Sequence, residues 1–506
     1  MKKVRIITGL ILSLAMAFAF ASCGQEEESA DNSSQEAKTL HVATDGNDET
    51  GDGNEAAPFA TVEGAIGSGI GPGSEIIVHE GTYEPFSITA EASGTEAEPV
   101  IIRAAEGDAD YEKVVIKAPK GKYQSGEDGM EELACIYMTN VGGIELQGFE
   151  TYGGTYGILY ESSPEQGDTA LEGVYITDCK IHDVVGAHGI AVYAGNDLAP
   201  VKNLGVSGCE VHDCLCGDSE SLVLNGNIDG FTIAGNVIHD NNNIGIDMIG
   251  FEGTAKHAKG SGFDNPYDAD FVRNGECHDN IVYNISAEGN PAYYEDGEYD
   301  LCADGIYVDG GQDIEIFNNF VFNCDIGLEV ATEHSPDDNE LFRVSGIKVH
   351  DNVVADCKGW TGLCFGGYDK DLGFTENCEF ARNTFVDNET QVGVQRSKGN
   401  TIHDNLFVGE DSSTIEFNYD CREKDMINDF GANTWCIGEG TLEDYMDAGD
   451  YDIEVMMPKG GLDKQKVMHS RSEAIDGFKS LIDGVGSEFV PGEHAMKLYN
   501  DNKEAK

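Results

Sequence analysis

The sequence predicts an all-β protein, a right-handed parallel β-helix with an N-terminal cap and loop insertions. One observation is a repeat of three short alternating strands, which returns after 22 residues between Gly305 and Gly327. Such a repeat buries its apolar face only when neighbouring coils stack. A second observation is a fixed turn column, where Asn suits a left-handed turn and bonds to the Asn of the next coil. The column contains Cys179, Cys209, Asn236, Asn280, Asn319, Asn352, Asn383 and Asn405.

A third observation is a column of glycines, each of which opens one strand of a coil. Since side chains alternate across a strand, the first and third residues after each Gly are expected to face the core, and the second and fourth to face outward. A β-sandwich with regular strands is the alternative, but it predicts hairpin turns and no Asn column. The glycines are Gly157, Gly189, Gly245, Gly305, Gly327, Gly362 and Gly393, with Ser221 in the remaining coil.

The N-terminus has the pattern of an export signal. Three basic residues and an apolar run precede a break at Cys23, as in a secretory signal. Because the break resembles a bacterial lipobox, we expect a signal peptide at 1–22, lipidation of Cys23 and an acidic flexible tether at 23–38. An ordinary signal peptide with an incidental Cys is the alternative. The protein is therefore expected to be exported, at a bacterial cell surface or as a membrane-anchored lipoprotein.

Three further regions follow the tether. Residues 39–84 predict an N-terminal capping module with a short helix near 62–66, and this module closes a parallel edge that would otherwise recruit other strands. Residues 85–420 predict the parallel β-helix, and residues 421–506 a C-terminal cap. One elongated solenoid absorbs this length without splitting its core. The protein is expected to be a monomer.

The charge balance restricts the partners. The chain has 93 Asp and Glu against 31 Lys and Arg, a formal net charge of −62. Such a surface repels nucleic acid and anionic membranes, so we expect no nucleic acid as a partner and contact with a membrane only through the lipid anchor.

Most of the 14 Cys residues share columns of the repeat. They are predicted to be stacked core residues, with a disulfide between Cys179 and Cys209 left open.

Insertions interrupt the repeat at two places. Segments 251–273 and 286–301 leave one coil, and segment 331–345 leaves the next coil on that side. These insertions are rich in aromatic residues. Loops that project beside one strand face of a solenoid form binding clefts, so we expect the functional site there.

Three carboxylates on consecutive coils form the predicted site. Asp247, Asp309 and Glu329 occupy outward positions, and stacked strands lie about 4.8 Å apart. The three side chains are therefore expected to gather within about 10 Å on the outer face of one sheet. Tyr307 and His334 fall on the same coils. Such a cluster suits Ca²⁺ binding or acid/base hydrolysis, and a solvated acidic strand face is the structural alternative.

The segment "NNIGIDMIG" resembles a motif of the polysaccharide lyase family 9 pectate lyases, which share this fold. Asp247 matches the family's Ca²⁺-binding carboxylate after the Gly, whereas Asn243 stands where the family has Asp and Ile244 departs from the motif. The resemblance implies a Ca²⁺ site, with Asp304 expected to supply a further oxygen. It also implies a Lys that removes the proton α to a uronate carboxylate.

The predicted function is a cell-surface, Ca²⁺-dependent lyase that cleaves a uronic-acid polymer by β-elimination. Bound Ca²⁺ would neutralise the uronate and acidify its proton. Since no Lys occupies the outward positions beside the cluster, the base is predicted to be Tyr307, His334 or a loop Lys. The alternatives are a glycoside hydrolase with Asp309 and Glu329 as acid and base, and a non-catalytic glycan-binding solenoid.

The predicted roles are as follows. The catalytic residues are Tyr307, Asp309, Glu329 and His334. The substrate-binding residues are Glu333, Lys256, Arg273 and Tyr368. The metal ligands are Asn243, Asp247 and Asp304.

Overall fold

The computed structural model describes residues 36–107, 111–121, 133–367, 372–417, 427–447, 456–457 and 460–505. Within these ranges three long sheets of 16, 11 and 13 strands run side by side, and the strands along each sheet pair in parallel. Because successive strands of the chain fall in different sheets, each coil contributes one strand to each sheet. The predicted right-handed parallel β-helix is confirmed.

The strands of the first sheet are Thr39–Val42, Glu75–Val78, Val100–Ala104, Ile144–Gln147, Leu171–Thr177, Val201–Ser207, Ile228–Ala234, Val272–His278, Gln312–Phe317, Val344–Ser345, Lys348–His350, Thr375–Glu376, Glu379–Ala381, Ser397–Lys398, Thr401–His403 and Asp429–Phe430. Those of the second are Phe86–Ile88, Ala134–Thr139, Tyr156–Ser162, Ile190–Ala194, Leu222–Gly226, Ile246–Ile249, Asp304–Asp309, Ile326–Ala331, Thr361–Gly366, Thr390–Val394 and Ser413–Phe417. Those of the third are Gly81–Tyr83, Val114–Lys120, Glu150–Gly154, Lys180–His182, Glu210–His212, Val237–Asn241, Ile281–Ile285, Phe320–Phe322, Val353–Ala355, Thr384–Val386, Leu406–Val408, Thr434–Cys436 and Lys466–Met468.

Helices and hairpins lie outside the sheets. The α-helices are Val62–Gly67, Arg471–Ala474 and Glu493–Ala505. The 3₁₀ helices are Ala90–Ala92, Pro164–Gln166, Pro291–Tyr293, Leu442–Tyr445 and Leu462–Lys464. The antiparallel hairpins pair Tyr294–Glu295 with Glu298–Tyr299, and Ile475–Asp476 with Lys479–Ser480.

The sheets extend beyond the range that the repeat pattern marked. Thr39–Val42 already pairs with Glu75–Val78, so the capping module contains the first strands of the helix. At the other end, Thr434–Cys436 continues the third sheet.

The predicted short helix near 62–66 is present as Val62–Gly67, and the Thr61 hydroxyl accepts a hydrogen bond from the Gly64 N–H at the start of this helix.

Side-chain alternation places the core as predicted. Ile306 and Val308 are fully buried in the main apolar cluster, whereas Tyr307 between them faces away from it. The prediction is wrong by two residues at one coil: Gly393 pairs with Cys364 and therefore occupies an outward position. Gln391, not Gly393, fills the position of the opening Gly there, because a turn of different length precedes the strand.

The Asn column forms a continuous hydrogen-bonded ladder. The Asn319 Oδ1 atom accepts from the Nδ2 and backbone N–H of Asn280 at 2.9 and 3.0 Å, and the Asn319 Nδ2 donates to Asn352 Oδ1 at 2.9 Å. The same contacts repeat through Asn383 and Asn405 and extend to Asn433, which the repeat analysis did not include. The ladder fixes the register of coils because each member satisfies a buried backbone group of its neighbour.

A stack of rings runs along the outside of the third sheet. His212 stacks between His182 and His239 at centroid distances of 5.1 and 5.0 Å, and the column continues into Tyr283 and Phe322. The C-terminal segment covers the apolar part of this face in a second cluster. This segment therefore shields strands that would otherwise expose aromatic surface.

The insertions pack against one another above the second sheet. Asn265 of the 251–273 insertion and Asn339 of the 331–345 insertion exchange two side-chain hydrogen bonds. Phe342 packs against the rings of Phe251, Tyr267 and His334. The insertions thus form one cover over the coils that carry the predicted site.

His257 joins the first insertion to the body of the helix. Its side chain is 4% exposed, its Nδ1 lies 2.9 Å from Asp197 and its Nε2 lies 2.6 Å from Asp268. We expect His257→Ala to free the insertion, because two contacts and a stacked Phe263 ring are lost together. Limited proteolysis should then cut within 251–273 several-fold faster than in the parent protein.

The exposed helix residue His494 offers the matched control. His494→Ala should leave the cleavage rate unchanged. Equal cleavage rates in the His257→Ala variant and the parent would contradict the role given to His257.

The cysteines of the described part of the chain are free. Cys179 and Cys209 are in contact, and the hydrogen bond with Cys179, followed by burial, raises the pKa of the Cys209 thiol well above its ordinary value. No described helix has the length and apolar character needed to cross a membrane. The predicted signal peptide, Cys23 and the substrate-binding Tyr368 lie outside the described residues.

Candidate functional site

The register of the second sheet brings the predicted residues together. Asp247 pairs with Tyr307, Tyr307 with Glu329, and Glu329 with Cys364. Asp309 lies two residues further along the Tyr307 strand. The carboxylates thus stand at outward positions on three successive strands, as predicted.

These three carboxylates are buried beneath the insertions. Asp247, Asp309 and Glu329 are 2%, 5% and 6% exposed, since the packed insertions cover their side of the sheet. Burial raises the pKa of Asp247 and Asp309 well above the ordinary range, and neighbouring carboxylates raise both further. The cluster is an enclosed acidic site and not a solvated strand face.

Two carboxyl groups share a hydrogen bond at the centre of the site. Asp304 contacts Glu329 across neighbouring strands. Burial raises the pKa of Glu329 to about 7, and the hydrogen bond from Asp304 limits the rise. Burial, followed by the charge and hydrogen bond of Glu329, raises the pKa of Asp304 well above its ordinary value. Of the two groups, Asp304 is therefore the one that donates the hydrogen bond, and Glu329 accepts it.

A second acidic group lies at the start of the 331–345 insertion. The backbone N–H of Glu333 donates to Asp309 Oδ1 at 3.1 Å. Burial and then the charge of Glu252 raise the pKa of Glu333 to about 6. The His334 Nε2 lies 3.0 Å from Glu252 Oε1. Burial lowers the pKa of His334, but the Glu252 hydrogen bond and the charge of Asp309 outweigh it, so the pKa is raised.

The predicted metal ligands have oxygens suited to a cation. Asn243 Oδ1, Asp247 Oδ1 and Asp304 Oδ1 are buried and lack a hydrogen-bond partner in the described structure. The described residues contain no group of three or more His, Cys, Asp or Glu arranged as a metal site. Since orphaned buried oxygens are costly and oxygen ligands suit Ca²⁺, the residues fit such an ion.

The predicted basic residues have other partners. Lys256 contacts the hydroxyl and ring of Tyr267. Arg273 lies on a strand of the first sheet and donates to Asn227 Oδ1 at 3.0 Å. Tyr307 lies among the carboxylates, and burial raises the pKa of its phenol well above the ordinary value.

Three residues of the site escaped the repeat analysis. Glu220 acts electrostatically on Asp247, and Glu252 acts on Asp309. The His188 Nε2 atom lies 2.6 Å from the Tyr193 hydroxyl oxygen. Glu220 and His188 immediately precede the strand-opening residues Ser221 and Gly189. That placement in the repeat could have identified them as residues of the site. Nothing in the repeat marked Glu252, which lies in an insertion.

The chain is similar to one family model over part of its length and to several solved structures. A family model described as "Periplasmic copper-binding protein (NosD)" matches residues 261–444. Among solved structures, XylC in complex with xylose is 15% identical, covering 85% of this chain and 82% of that one, with a TM-score of 0.44. The GH136 lacto-N-biosidase from Eubacterium ramulus is 14% identical, covering 76% and 67%, with a TM-score of 0.49. Pectate lyase Pel9A is 13% identical, covering 76% and 78%, with a TM-score of 0.40.

A relative from Bacillus subtilis (strain 168) is much more similar in sequence. The two proteins are 34% identical over 429 residues, which cover 80% of this chain and 81% of the relative, YwoF. The alignment is long enough to include most of the coils. The chain described here therefore belongs to the same family as YwoF.

Proposed function

We propose that the protein is an exported enzyme that cleaves glycosidic bonds in a polysaccharide. The observation that carries the proposal is the buried, hydrogen-bonded pair Asp304 and Glu329, with a pKa of about 7 for Glu329. A carboxyl group that stays partly protonated near neutral pH is suited to general-acid catalysis. In this proposal the insertions that cover this part of the second sheet wall the cleft in which an extended polymer would lie.

The arrangement supports hydrolysis by paired carboxyl groups. Glu329 donates its proton to the oxygen of the leaving sugar, which breaks the glycosidic bond. Asp309 or Glu333, on the adjoining part of the site, accepts a proton from the attacking water. This division between one acid and one base is that of glycoside hydrolases. The hydrogen bond from Asp304 orients the Glu329 carboxyl group and controls its protonation.

A Ca²⁺-dependent lyase acting on a uronic-acid polymer is the second candidate. The three unpartnered oxygens of Asn243, Asp247 and Asp304 favour it. These side chains would hold the ion, which when bound supplies positive charge that neutralises a uronate carboxylate. The same charge would stabilise Asp247 and Asp304 in their ionised forms.

Turnover of a glycan panel, with and without chelator, tests both candidates. We expect the parent protein to release new reducing ends from at least one polysaccharide in the presence of chelator, because hydrolysis needs only carboxyl groups. Products with an unsaturated, ultraviolet-absorbing sugar, lost with chelator and restored by Ca²⁺, would identify the lyase instead. An Asp247→Asn variant should then lose the activity that Ca²⁺ restores, whereas Glu298→Gln, in the exposed hairpin, should match the parent. No cleavage of any glycan in either condition would contradict the proposal.

A further inference from the structure

A strip of the second sheet beside the acidic site has the features of a binding surface. Tyr193 pairs with Asn225 on the next strand, and Asn225 pairs with Ile249 on the strand of Asp247. All three stand at outward positions. A separate apolar cluster lies along this strip, outside the main core. Its buried members are Leu159, Ala191, Val223 and Ile249, and Ala134, Tyr137, Tyr156 and Tyr193 pack against them.

A buried histidine holds the Tyr193 hydroxyl group in place. The His188 Nδ1 atom lies 3.1 Å from the Glu220 carbonyl oxygen and 3.2 Å from the Glu220 carboxylate. The Glu220 backbone N–H donates to the same atom at 3.2 Å. On the other side of the ring, Nε2 lies 2.6 Å from the Tyr193 hydroxyl oxygen. In either direction of that hydrogen bond, the phenolic oxygen keeps a lone pair that accepts from a ligand hydroxyl group.

Asn225 offers a second acceptor. Its side chain is 3% exposed, and its Oδ1 is buried without a hydrogen-bond partner in the described structure. A buried carbonyl oxygen without a donor costs about 1–3 kcal/mol. A ligand hydroxyl group would remove that cost.

The charges around the strip select against anions. Burial raises the pKa of Tyr193 well above its ordinary value, and Glu220, Glu161 and Glu252 raise it further. Glu252 also acts on Asp309, so the strip and the acidic site share one electrostatic environment. A uronate carboxylate has no proton to donate, and here it would meet the unpartnered Asn225 oxygen and three acidic side chains.

We propose that Tyr193 and Asn225 form a binding subsite for a neutral sugar residue, whose hydroxyl groups donate to both oxygens. The inference rests on the proposed function and names its substrate class. Tyr193 lies two strands from Asp247, about 10 Å along the helix axis, so one polysaccharide chain reaches both sites. Tyr156, at the edge of the strip and 5.7 Å from the His188 ring, adds an aromatic surface for the apolar face of the sugar.

Binding of oligosaccharides to a Glu329→Gln parent tests the subsite without cleavage. The probes are neutral xylo-, cello- and manno-oligosaccharides, with oligogalacturonates as the anionic comparison, measured by calorimetry in chelator. We expect at least one neutral probe to bind. Asn225→Leu and Tyr193→Phe should each weaken that binding tenfold or more. Asn500→Ala, on the exposed side of the C-terminal helix, should leave the dissociation constant unchanged.

The possible outcomes separate the subsite from the catalytic proposal. Neutral probes that bind through Asn225 but are never cleaved by the Glu329 protein would leave the subsite standing and overturn the hydrolase. Cleavage of neutral glycans with an unaltered dissociation constant in Asn225→Leu would overturn the subsite alone. Binding of oligogalacturonates only, or of no probe, would overturn it as well.

His188 acts through Tyr193 and is a positioning residue. Nitrogen NMR of the histidine rings provides a readout that is independent of turnover. In the Tyr193→Phe variant the Nε2 resonance of His188 should shift, because Nε2 loses its hydrogen-bond partner. An unshifted resonance would contradict the assigned arrangement.

Discussion

Replacing Glu329 with Gln is expected to lower kcat/KM by about 10³-fold or more while making the protein more stable above neutral pH. Gln fills the same space and still accepts the hydrogen bond from Asp304, but it has no proton to give to the leaving oxygen. Reducing-end release from the glycan identified in the panel measures the first effect. Thermal unfolding of metal-free protein measures the second.

The pH dependence of stability follows from the direction of the shift. The pKa of Glu329 rises from 4.5 to about 7 on folding, so the unfolded chain ionises this group at lower pH than the folded one does. The contribution of Glu329 to the free energy of unfolding is therefore most favourable below about pH 4.5. It becomes less favourable as the pH rises towards 7 and stays reduced above pH 7. The penalty in the parent protein is on the order of 3 kcal/mol at pH 8, and Glu329→Gln removes it.

The exposed carboxylate Glu298 provides the comparison for both measurements. Glu298→Gln should change neither turnover nor the slope of melting temperature against pH. A Glu329→Gln protein that retains turnover would refute the role of Glu329 as proton donor. One that melts at the parent's temperature at pH 8 would show that the carboxylate is not buried as described.

Replacing Asn319 with Ala is expected to destabilise the fold by about 3–5 kcal/mol. Asn319 is fully buried in the middle of the ladder. Its Oδ1 accepts two hydrogen bonds from Asn280, and its Nδ2 donates to Cys277 O and Asn352 Oδ1 at 2.9 Å. Ala removes all four, and the low-dielectric interior offers no replacement partner. The midpoint of urea unfolding measures the loss.

A surface Asn distinguishes the ladder from the general effect of losing an amide. Asn500 is exposed on the C-terminal helix, and Asn500→Ala should change stability by less than about 0.5 kcal/mol. Similar urea midpoints for the two variants would show that the ladder does not hold the coils together.

The repeating pattern was sufficient for the architecture because each coil interacts only with its neighbours. Once Asn319 and Asn352 are recognised as equivalent, their contact follows from the strand spacing alone. The same logic placed Asp247, Tyr307 and Glu329 on adjoining strands. It failed at Gly393, where a shorter turn shifted the strand by two residues and a glycine filled an outward position.

The amino-acid sequence was enough to establish the parallel β-helix, the Asn ladder and the row of carboxylates, since all three depend on a period that is visible in one dimension. The enclosure of the site was decided only in three dimensions. The insertions that bury Asp309 and Glu329 follow no period, and their paths depend on contacts such as Asn265 with Asn339. The raised pKa of Glu329 and the neighbouring Tyr193–His188–Glu220 arrangement arise from that burial and from long-range packing, which no local pattern records.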